Sequence, residues 1–262
     1  MTSVVTEEIL QFANKLADCA RTISITHFRN GGGFEIKSDD TPVTKADRDI
    51  EHELKRRIAE KYPDHGIVGE EEGVSNPEAH VVWVIDPIDG TQAFISGSPT
   101  FGTLIALVYA GLPALGILEI PVLLERWVGA VGWGTQKYGL GCCRTSSEQN
   151  LANTIMYATS PFMFSKSQHQ RFEILARKIR FTRFGTDCYA YGLLASGYIH
   201  LVAEADMKPH DYMSLLPVVE QAGGVITDWS GEPLQLTSGT STVLAAANSS
   251  LHRQALAVLN MT

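Results

Sequence analysis

Two aspartates stand three residues apart directly after an apolar run of the chain. Asp86 and Asp89 follow Val81–Ile85, which contains only large apolar residues and predicts a buried strand. Pro87 fixes the turn between the two acids, and Gly90 allows the backbone to approach a ligand closely. Because carboxylates held this close repel each other, the pair can face one point only with a cation between them. Oxygen ligands without His or Cys favour Mg²⁺ or Mn²⁺ over Zn²⁺.

Two further acidic sites lie where the chain is predicted to turn. Glu70 lies in Gly69–Gly73 after a short apolar strand, and Asp211 precedes an apolar helix. These acids could join the aspartate pair in one carboxylate cluster, although spacing alone does not bring them together. Each acidic site also has an ordinary structural explanation. The aspartate pair could lie in a solvated turn, Glu70 in an acidic surface loop, and Asp211 could cap a helix. A helix that begins after Gly90 would offer free N–H groups and a dipole to a phosphate beside the cation.

The composition limits the classes of protein to which the chain can belong. Its 262 residues are 44% hydrophobic and 19% charged, which is typical of a globular protein and excludes a collagen-like fibre or a disordered chain. The chain has 21 Lys and Arg against 29 Asp and Glu, so its net charge is −8. This surplus of acid argues against a nucleic-acid partner or a polybasic membrane surface. An anionic substrate then requires a local positive centre, for which a metal ion is the obvious candidate.

The cysteines and one uncharged stretch bear on localisation. The four cysteines are irregularly spaced without a C-x-x-C pair, and the first residues lack the pattern of a signal peptide, so we expect a cytoplasmic protein. From Gly90 to Leu118 no residue is charged, a length that could cross a bilayer. Glycines and prolines interrupt this stretch, which therefore predicts two adjacent buried strands and no membrane span.

The first half of the chain is predicted to combine two helices with a group of strands. An amphipathic helix over residues 6–29 is capped by Thr6, and a second helix begins at Thr44 with Asp47 three residues later. The strand-like runs that follow are Gly66–Val68, Val81–Ile85, Thr103–Tyr109, Ala114–Ile120 and Arg126–Val131. Helices followed by clustered strands favour an α+β or layered α/β/α architecture over a regular βαβ repeat.

The second half of the chain alternates helices and strands more regularly. Helices are predicted near Gln168–Ile179, Asp187–Ala195, Asp211–Ala222 and from Ser249 onwards. Strands are predicted at Phe181–Phe184, Ile199–Ala203, Val225–Thr227 and Thr242–Ala246. The small polar stretch Cys142–Asn150 predicts a boundary between an N-terminal α+β subdomain, residues 1–145, and a C-terminal α/β subdomain, residues 146–262.

These motifs, in this order, resemble the inositol-monophosphatase superfamily of metal-dependent sugar phosphatases. The resemblance runs from about Ile36 to Trp229 and rests on Asp86-Pro-Ile-Asp-Gly-Thr91, Gly69-Glu70-Glu71, Asp211 and Glu220-x-Ala-Gly-Gly224. It implies a layered αβαβα sandwich in two subdomains, a small phosphomonoester as substrate and a homodimer.

The resemblance also implies a site for two or three Mg²⁺ ions, with Mn²⁺ as an alternative. Glu70, Asp86 and the Ile88 carbonyl would hold one ion. Asp86, Asp89 and Asp211 would hold a second, and Glu70 would help to bind a third.

Further roles follow from the same resemblance. Thr91 and Asp47 would orient the attacking water, and Glu70 would be catalytic with them. Gly90 and Thr91 would also contact the substrate, as would Asp211 beside them. Lys37 matches a lysine of a mobile loop near the metals.

Within the superfamily, the chain is more similar to histidinol-phosphate phosphatases. The segments that carry this similarity are Asp89–Gly97, Phe101–Leu107, Glu119–Pro121, Glu125–Trp127, Ala158–Pro161, Asp187–Tyr191 and Glu204 with Lys208–Asp211. The inositol enzymes usually have Trp-Asp where this chain has His210-Asp211. His210 departs from the aromatic pattern of both groups, and we interpret it as a surface or packing histidine.

Two acids in the second half could distinguish the substrates. Histidinol carries an ammonium and an imidazole, whereas inositol carries only hydroxyls. Asp187 and Glu204 lie in the segment that the family uses for the alcohol, so we predict that they clamp the ammonium by charge-assisted contacts. Tyr189 is a candidate for the imidazole site, and Arg183 for a contact with the substrate or a partner subunit. Core packing is the alternative for Tyr189.

Other functions fit parts of the pattern. An inositol monophosphatase, or a broad sugar-phosphate or nucleotide phosphatase, is the main alternative within the superfamily. A phosphatase with an aspartyl-phosphate intermediate needs aspartates at i and i+2, whereas Asp86 and Asp89 are at i and i+3. A non-enzymatic sensor of Mg²⁺ or phosphate would need a broken nucleophile pair, but Thr91 and Asp47 are both present. The predicted function is therefore Mg²⁺-dependent hydrolysis of histidinol phosphate, a step of histidine biosynthesis.

Overall fold

The computed structural model describes residues 4–31, 33–38, 41–239 and 241–261. Eight α-helices occur in these ranges: α1 Glu7–His27, α2 Lys45–Lys61, α3 Thr91–Ser96, α4 Lys166–Ala176, α5 Tyr189–Ala195, α6 Pro209–Tyr212, α7 Leu215–Glu220 and α8 Ser249–Leu259. Two short 3₁₀ helices, Leu151–Asn153 and Pro161–Met163, flank the first strand of the second half. Among the described helices, none is both long and apolar enough to span a bilayer.

A large mixed sheet is built from the first half of the chain. A separate hairpin, β1 Phe34–Ile36 and β2 Pro42–Thr44, precedes it. The strands of the sheet are β3 Gly66–Gly69, β4 Val74–Ser75, β5 Val81–Asp89, β6 Gly102–Tyr109, β7 Leu112–Ile120, β8 Glu125–Ala130, β9 Gly134–Lys137 and β10 Gly141–Cys142. Their order is β10-β9-β8-β7-β6-β5-β3-β4. The uncharged stretch forms β6 and most of β7, which pair antiparallel and are largely buried, as predicted.

A smaller sheet comes from the second half of the chain. Its strands are β11 Ile155–Ala158, β12 Phe181–Phe184, β13 Leu201–Met207, β14 Val225–Thr227 and β15 Ser241–Ala246, in the order β12-β11-β13-β15-β14. The two sheets therefore use separate parts of the chain, while the core between them draws on both. The division into residues 1–145 and 146–262 stays a prediction.

The helices and sheets form alternating layers. Side chains alternate across β5, so that Trp83 and Ile85 pack with α1 and α2 while Val82 and Val84 face the core that contains α5 and α7. On its outer face, the small sheet packs against α4 and α8. The sequence of layers is α1/α2, large sheet, α5/α7, small sheet and α4/α8, which confirms the predicted αβαβα sandwich.

Both predicted helix starts in the first half are correct because their caps form. The Thr6 hydroxyl accepts a hydrogen bond from the Ile9 N–H at 3.2 Å. Thr44 caps α2 through a reciprocal capping box with Asp47. Each cap satisfies N–H groups that have no partner within the helix.

The prediction of one helix over Asp211–Ala222 is wrong. The structure contains two short helices, α6 and α7, separated at Met213 and Ser214. Pro217 lacks an N–H and its ring would collide with the Met213 carbonyl in a continuous helix. The break places Pro217 in the first turn of α7, where a proline is tolerated.

Two other boundaries also differ from the prediction. The helix predicted from Asp187 begins at Tyr189, because Asp187 adopts a left-handed backbone conformation with φ +46°. The strand predicted at Ile199–Ala203 runs instead over Leu201–Met207 and pairs antiparallel with β15. This shift brings Glu204 to the middle of a buried strand.

Helix α7 packs directly on the backbone of β7 and β8. A Cβ atom added at Gly116 would lie 1.8 Å from the Ser214 carbonyl oxygen, and one added at Gly129 would lie 2.3 Å from the Pro217 carbonyl oxygen. Both contacts are with main-chain atoms, which cannot rotate away. Glycine at these positions therefore sets how closely the helix approaches the sheet.

We expect Gly116→Ala to destabilise the protein because the added methyl group must push α7 away from β7. Overpacking of this kind costs about 1–3 kcal/mol, and a backbone obstacle puts this site at the upper end. Urea denaturation of the variant and of the parent protein would measure the loss. Gly33→Ala is the matched control, since a Cβ there meets no described atom within 4 Å. Equal stability of the two variants would contradict the expectation.

Candidate metal centre and active site

The acidic sites of the first half meet at the carboxyl ends of two neighbouring strands of the large sheet. Strands β3 and β5 are parallel and pair Gly69 with Ile85. The next residues, Glu70 and Asp86, therefore emerge side by side at the carboxyl ends of neighbouring strands. This arrangement follows from the pairing of the strands, and the sequence motifs alone do not specify it.

A bulge in β5 turns both aspartates toward the same point. The pairing of β5 with β6 shifts between Asp86 and Asp89. The buried Thr103 hydroxyl donates to the Pro87 carbonyl at 2.8 Å and holds this bulge. A β-bulge of this kind redirects side chains next to a site.

Asp211 reaches the same point from the second half of the chain. It lies in α6, where one carboxylate oxygen accepts a hydrogen bond from the Lys208 N–H at 2.6 Å. One ligand atom each from Asp86, Asp89 and Asp211 lies within 4.8 Å of the others. The structure thus brings together three of the four predicted carboxylate ligands in a single cluster.

The cluster has more negative charge than the surrounding protein balances. Burial, followed by repulsion from Glu70 and Asp89, raises the pKa of Asp86 well above its usual range. Burial, followed by repulsion from Asp211, raises the pKa of Asp89 to about 7. Burial also raises the pKa of Asp211 to about 7. Asp86 is 2% exposed, and its Oδ1 atom has no hydrogen-bond partner among the described residues.

This donor set fits a hard divalent cation. The available donors are carboxylate oxygens, one of them buried and unpaired, and such oxygens suit Mg²⁺ or Mn²⁺ better than Zn²⁺. The predicted fourth ligand, Glu70, lies outside the group of three and instead accepts a hydrogen bond from Lys37 Nζ at 2.8 Å. The same ammonium group donates to Glu71 at 2.9 Å. Lys37 thus divides its positive charge between Glu70 and Glu71 in this structure.

Asp47 and Thr91, the pair predicted to orient the attacking water, are not hydrogen-bonded to each other in this structure. Asp47 is buried at the start of α2, and its Oδ2 atom accepts hydrogen bonds from the Thr44 N–H, at 2.8 Å, and from the Thr44 hydroxyl. Its Oδ1 atom has no partner among the described residues. Burial raises the pKa of Asp47 to about 6, although the bonds from Thr44 oppose the shift. The Thr91 hydroxyl donates to the Ile88 carbonyl at 3.1 Å.

Gly90 brings the second half of the chain against this cluster. It has φ +81° and precedes the short helix α3, which begins at Thr91 and meets the condition stated for a helix after Gly90. A Cβ atom at Gly90 would lie 2.8 Å from the Cγ atom of Asp187, so only glycine fits. Next to Asp187, the Cys188 N–H donates to Asp89 Oδ2 at 2.7 Å.

The site opens into a cavity of about 480 Å³ between the two halves. Most of the predicted site residues line it: Glu70, Asp86, Ile88, Asp89, Gly90, Thr91, Asp187, Glu204 and Asp211. Phe162, in the second 3₁₀ helix, also lines it and is 93% exposed. The cavity therefore combines an acidic floor with an exposed aromatic ring at its edge.

The two acids predicted to clamp an ammonium have different surroundings. Burial, followed by repulsion from Asp89 and Glu204, raises the pKa of Asp187 to about 8. Glu204 is fully buried in β13, and its oxygens accept hydrogen bonds from the Thr159 N–H at 2.9 Å, the Thr159 hydroxyl at 2.5 Å and the Tyr191 hydroxyl at 2.7 Å. Asp187 is therefore the more available of the two carboxylates.

The remaining candidates lie away from the cavity wall. Tyr189 packs edge-on against Trp127 with ring centroids 5.9 Å apart, and Tyr191 lines the cavity in its place. Arg183 is exposed on β12, with its guanidinium 6.0 Å from the ring centre of Tyr157. His210 is largely buried, and its Nε2 atom lies 3.5 Å from Asp211 Oδ1.

Sequence analysis missed several residues that shape the site. Glu51 accepts hydrogen bonds from the loop that follows Glu70. The sequence feature that could have revealed it is an acidic residue on the apolar face of α2, four residues after Asp47. Thr159 and Tyr191 lie within the motifs Ala158–Pro161 and Asp187–Tyr191, which indicated no role for either residue. Phe162 carried no signal, because only the fold places it at the cavity.

The chain is similar over nearly its whole length to known phosphatases. Residues 5–261 match the family model of the inositol monophosphatase family. The chloroplastic bifunctional phosphatase IMPL2 of Arabidopsis thaliana is 42% identical over 93% of this chain and 72% of its own length. A histidinol-phosphatase of Chlorobaculum parvum is 32% identical over 95% of this chain and 96% of its own.

A solved structure is similar in fold as well as in sequence. An inositol monophosphatase from Zymomonas mobilis is 40% identical and superimposes with a TM-score of 0.89, over 97% of this chain and 98% of that one. Its layered architecture matches the one described above.

We expect Asp86→Asn to abolish the stabilisation that Mg²⁺ gives to the protein. A cation at 100 times its Kd stabilises a folded protein by about 2.7 kcal/mol, and the variant lacks a central ligand. Without cations the variant should be at least as stable as the parent, because one repelling carboxylate is gone. Thermal melts with and without Mg²⁺ would measure both effects. Glu232→Gln, which removes an exposed acid, is the control, and an undiminished Mg²⁺ effect in Asp86→Asn would refute this site.

Proposed function

Since the chain belongs to the inositol monophosphatase family, we propose that this phosphatase hydrolyses histidinol phosphate to histidinol and inorganic phosphate with Mg²⁺ as its cofactor. The observation that carries the proposal is the position of Asp187, whose carboxylate packs on Gly90 beside the acidic cluster. A phosphate bound at the cluster would bring the alcohol portion of its ester near Asp187. An alcohol that carries an ammonium would pair with this carboxylate.

Charge at the leaving-group side supports an amino alcohol over a polyol. Asp187 and Glu204 repel each other and Asp89, as the raised pKa of Asp187 indicates after its main cause, burial. A cationic substrate relieves this repulsion, whereas a neutral polyol leaves the buried charge unpaired. Similarity to histidinol-phosphatases over almost the whole chain supports the same choice.

The chain's own residues define how the reaction would proceed. Two or three Mg²⁺ ions, with Mn²⁺ as an alternative, would be held by Glu70, Asp86, the Ile88 carbonyl, Asp89 and Asp211. When bound, these ions supply positive charge to the phosphate oxygens and acidity to the attacking water. The N–H groups at Gly90 and Thr91 orient the phosphate.

Thr91 and Asp47 would position the water for in-line attack. The Thr91 hydroxyl must leave the Ile88 carbonyl and donate to the unpaired Oδ1 atom of Asp47, so that its oxygen can accept a proton from the water. The water oxygen then bonds to phosphorus as the ester P–O bond breaks, and the leaving alkoxide takes a proton from solvent. The proton removed from the attacking water passes through Thr91 to Asp47, which later returns it to solvent. No covalent phospho-enzyme forms.

An inositol monophosphatase or a broad sugar-phosphate or nucleotide phosphatase is the alternative function. One observation favours it: both oxygens of Glu204 are already bonded to Thr159 and Tyr191, which reduces the charge available to an ammonium. The relative from Zymomonas mobilis is also described as an inositol monophosphatase.

We also propose a homodimer in a reducing, cytoplasmic compartment. All four cysteines are free thiols, which supports a reducing environment. Arg183 and Tyr198, both exposed on the second half, are accessible to a partner subunit.

We expect phosphate release from histidinol phosphate in the presence of Mg²⁺, with a kcat/KM at least tenfold above that for inositol 1-phosphate. The charge pairing with Asp187 is the reason for this preference. A phosphate-release assay with both substrates, each with Mg²⁺ and with a chelator, would measure it. A higher kcat/KM for inositol phosphate would favour the alternative function, and release that is insensitive to the chelator would contradict the metal mechanism.

We expect Asp187→Asn to raise KM for histidinol phosphate tenfold or more and to leave KM for a neutral sugar phosphate nearly unchanged. The substitution removes the charge while an asparagine still tolerates the left-handed backbone at this position. Asp206→Asn is the matched control, because Asp206 also has a positive φ, +61°, but is exposed. Equal losses with both substrates would refute the role of Asp187 in binding an ammonium.

A further inference from the structure

We propose that Glu51 is a positioning residue that fixes the backbone of the Glu70 loop and thereby sets the affinity of the acidic cluster for its cation. The Glu70 loop is defined here as residues 69–73. The inference rests on the proposed function in one respect only, namely that Glu70 is a metal ligand. It assigns no contact between Glu51 and the substrate or the cation.

The Glu51 carboxylate binds two successive backbone N–H groups. Its side chain is 0% exposed. Its Oε2 atom accepts from the Glu71 N–H and its Oε1 atom from the Glu72 N–H, each at 2.8 Å. These are the two residues directly after Glu70. Charge-assisted bonds to consecutive N–H groups fix both the position and the direction of the chain at that point.

Gly69 has no side chain, which leaves space for the Glu51 carboxylate to reach the loop backbone. A Cβ atom at Gly69 would lie 1.8 Å from Glu51 Oε1, so any other residue would displace the carboxylate. Gly69 is also the last residue of β3, and it pairs with Ile85 of β5. The Glu70 loop is therefore anchored on one side by the sheet and on the other by Glu51, with Glu70 between the two anchors.

Lys55 completes the anchor one helical turn further along α2. Its Nζ atom lies 3.6 Å from Glu51 Oε1 and donates to the Glu72 and Gly73 carbonyls, each at 3.2 Å. The loop is thus held at its N–H groups by a carboxylate and at its carbonyl groups by an ammonium. Lys55 also balances part of the charge that Glu51 brings into the core.

The same helix face carries Asp47 one turn before Glu51. Residues four apart on a helix lie one above the other, and both side chains are fully buried. One rigid element therefore positions the proposed water-orienting acid directly and the proposed metal ligand Glu70 through its loop. A fixed distance between these two groups is what an in-line attack on a metal-bound phosphate needs.

The test is the Mg²⁺ concentration that gives half of the cation-induced rise in melting temperature. Glu51→Gln replaces one acceptor oxygen with an NH₂ group, which places a donor against a backbone donor. We expect the half-maximal Mg²⁺ concentration to rise about 10- to 100-fold, as for other residues that orient metal ligands. Glu53→Gln, on the same helix but in surface ion pairs with Arg56 and Arg57, is the control and should keep the parent value.

Gly69→Ala disturbs the same contact from the opposite side and provides a second variant if Glu51→Gln does not fold. An increase of at least tenfold in either variant, with Glu53→Gln unchanged, supports the proposal. Half-maximal concentrations within twofold of the parent in the folded variants would overturn it, whatever happens to the melting temperature without cations. If the parent protein itself does not respond to Mg²⁺, the proposed metal site fails, which is a different outcome from a failure of Glu51 alone.

Discussion

The accumulation of carboxylates in a buried place is the constraint on which the rest of this structure depends. Asp86, Asp89 and Asp211 share one point, and burial raises the pKa of each, with a further contribution from repulsion by neighbouring carboxylates. Among the described residues, the cluster itself contains no lysine or arginine. Lys37 lies at its margin, on Glu70 and Glu71. A protein tolerates such an arrangement when a ligand provides the missing charge, so the stability of the fold and the binding of a cation are linked in this family member.

The two halves of the chain contribute unequally but jointly to the cluster. The large sheet supplies Glu70, Asp86 and Asp89 through the parallel pair β3 and β5. The second half supplies Asp211 from α6 and an N–H group from Cys188, which binds Asp89. The cavity is therefore lined by acidic residues of both halves, including Asp86 and Asp89 from the first and Asp211 from the second. The second half also lines the cavity with Glu204 of β13 and with Asp187, which precedes α5.

Local signals made much of this site predictable, and long-range contacts made the rest unpredictable. Features that depend on neighbouring residues could be predicted from the sequence. They are the Asp86–Thr91 motif, the cap at Thr44 and the uncharged strands. Pro217 indicates a break between α6 and α7, but the apolar residues on both sides follow a helical period and led to the prediction of one continuous helix. The bonds of Glu204 to Thr159 and Tyr191 cross 45 and 13 residues of sequence and appear only after folding. The same is true of Phe162, whose position beside the cavity no local pattern encodes.

The contact between Gly116 and the Ser214 carbonyl has a consequence for the interpretation of genetic data. Ser214 follows Asp211 by three residues, so the backbone that Gly116 contacts belongs to the same short segment as an acid of the cluster. A screen for inactive alleles would therefore recover residue 116 through loss of packing, although glycine has no side chain with which to bind anything. Suppressor alleles of such a mutant would be found in the residues that surround α7, and the acids themselves would remain unchanged.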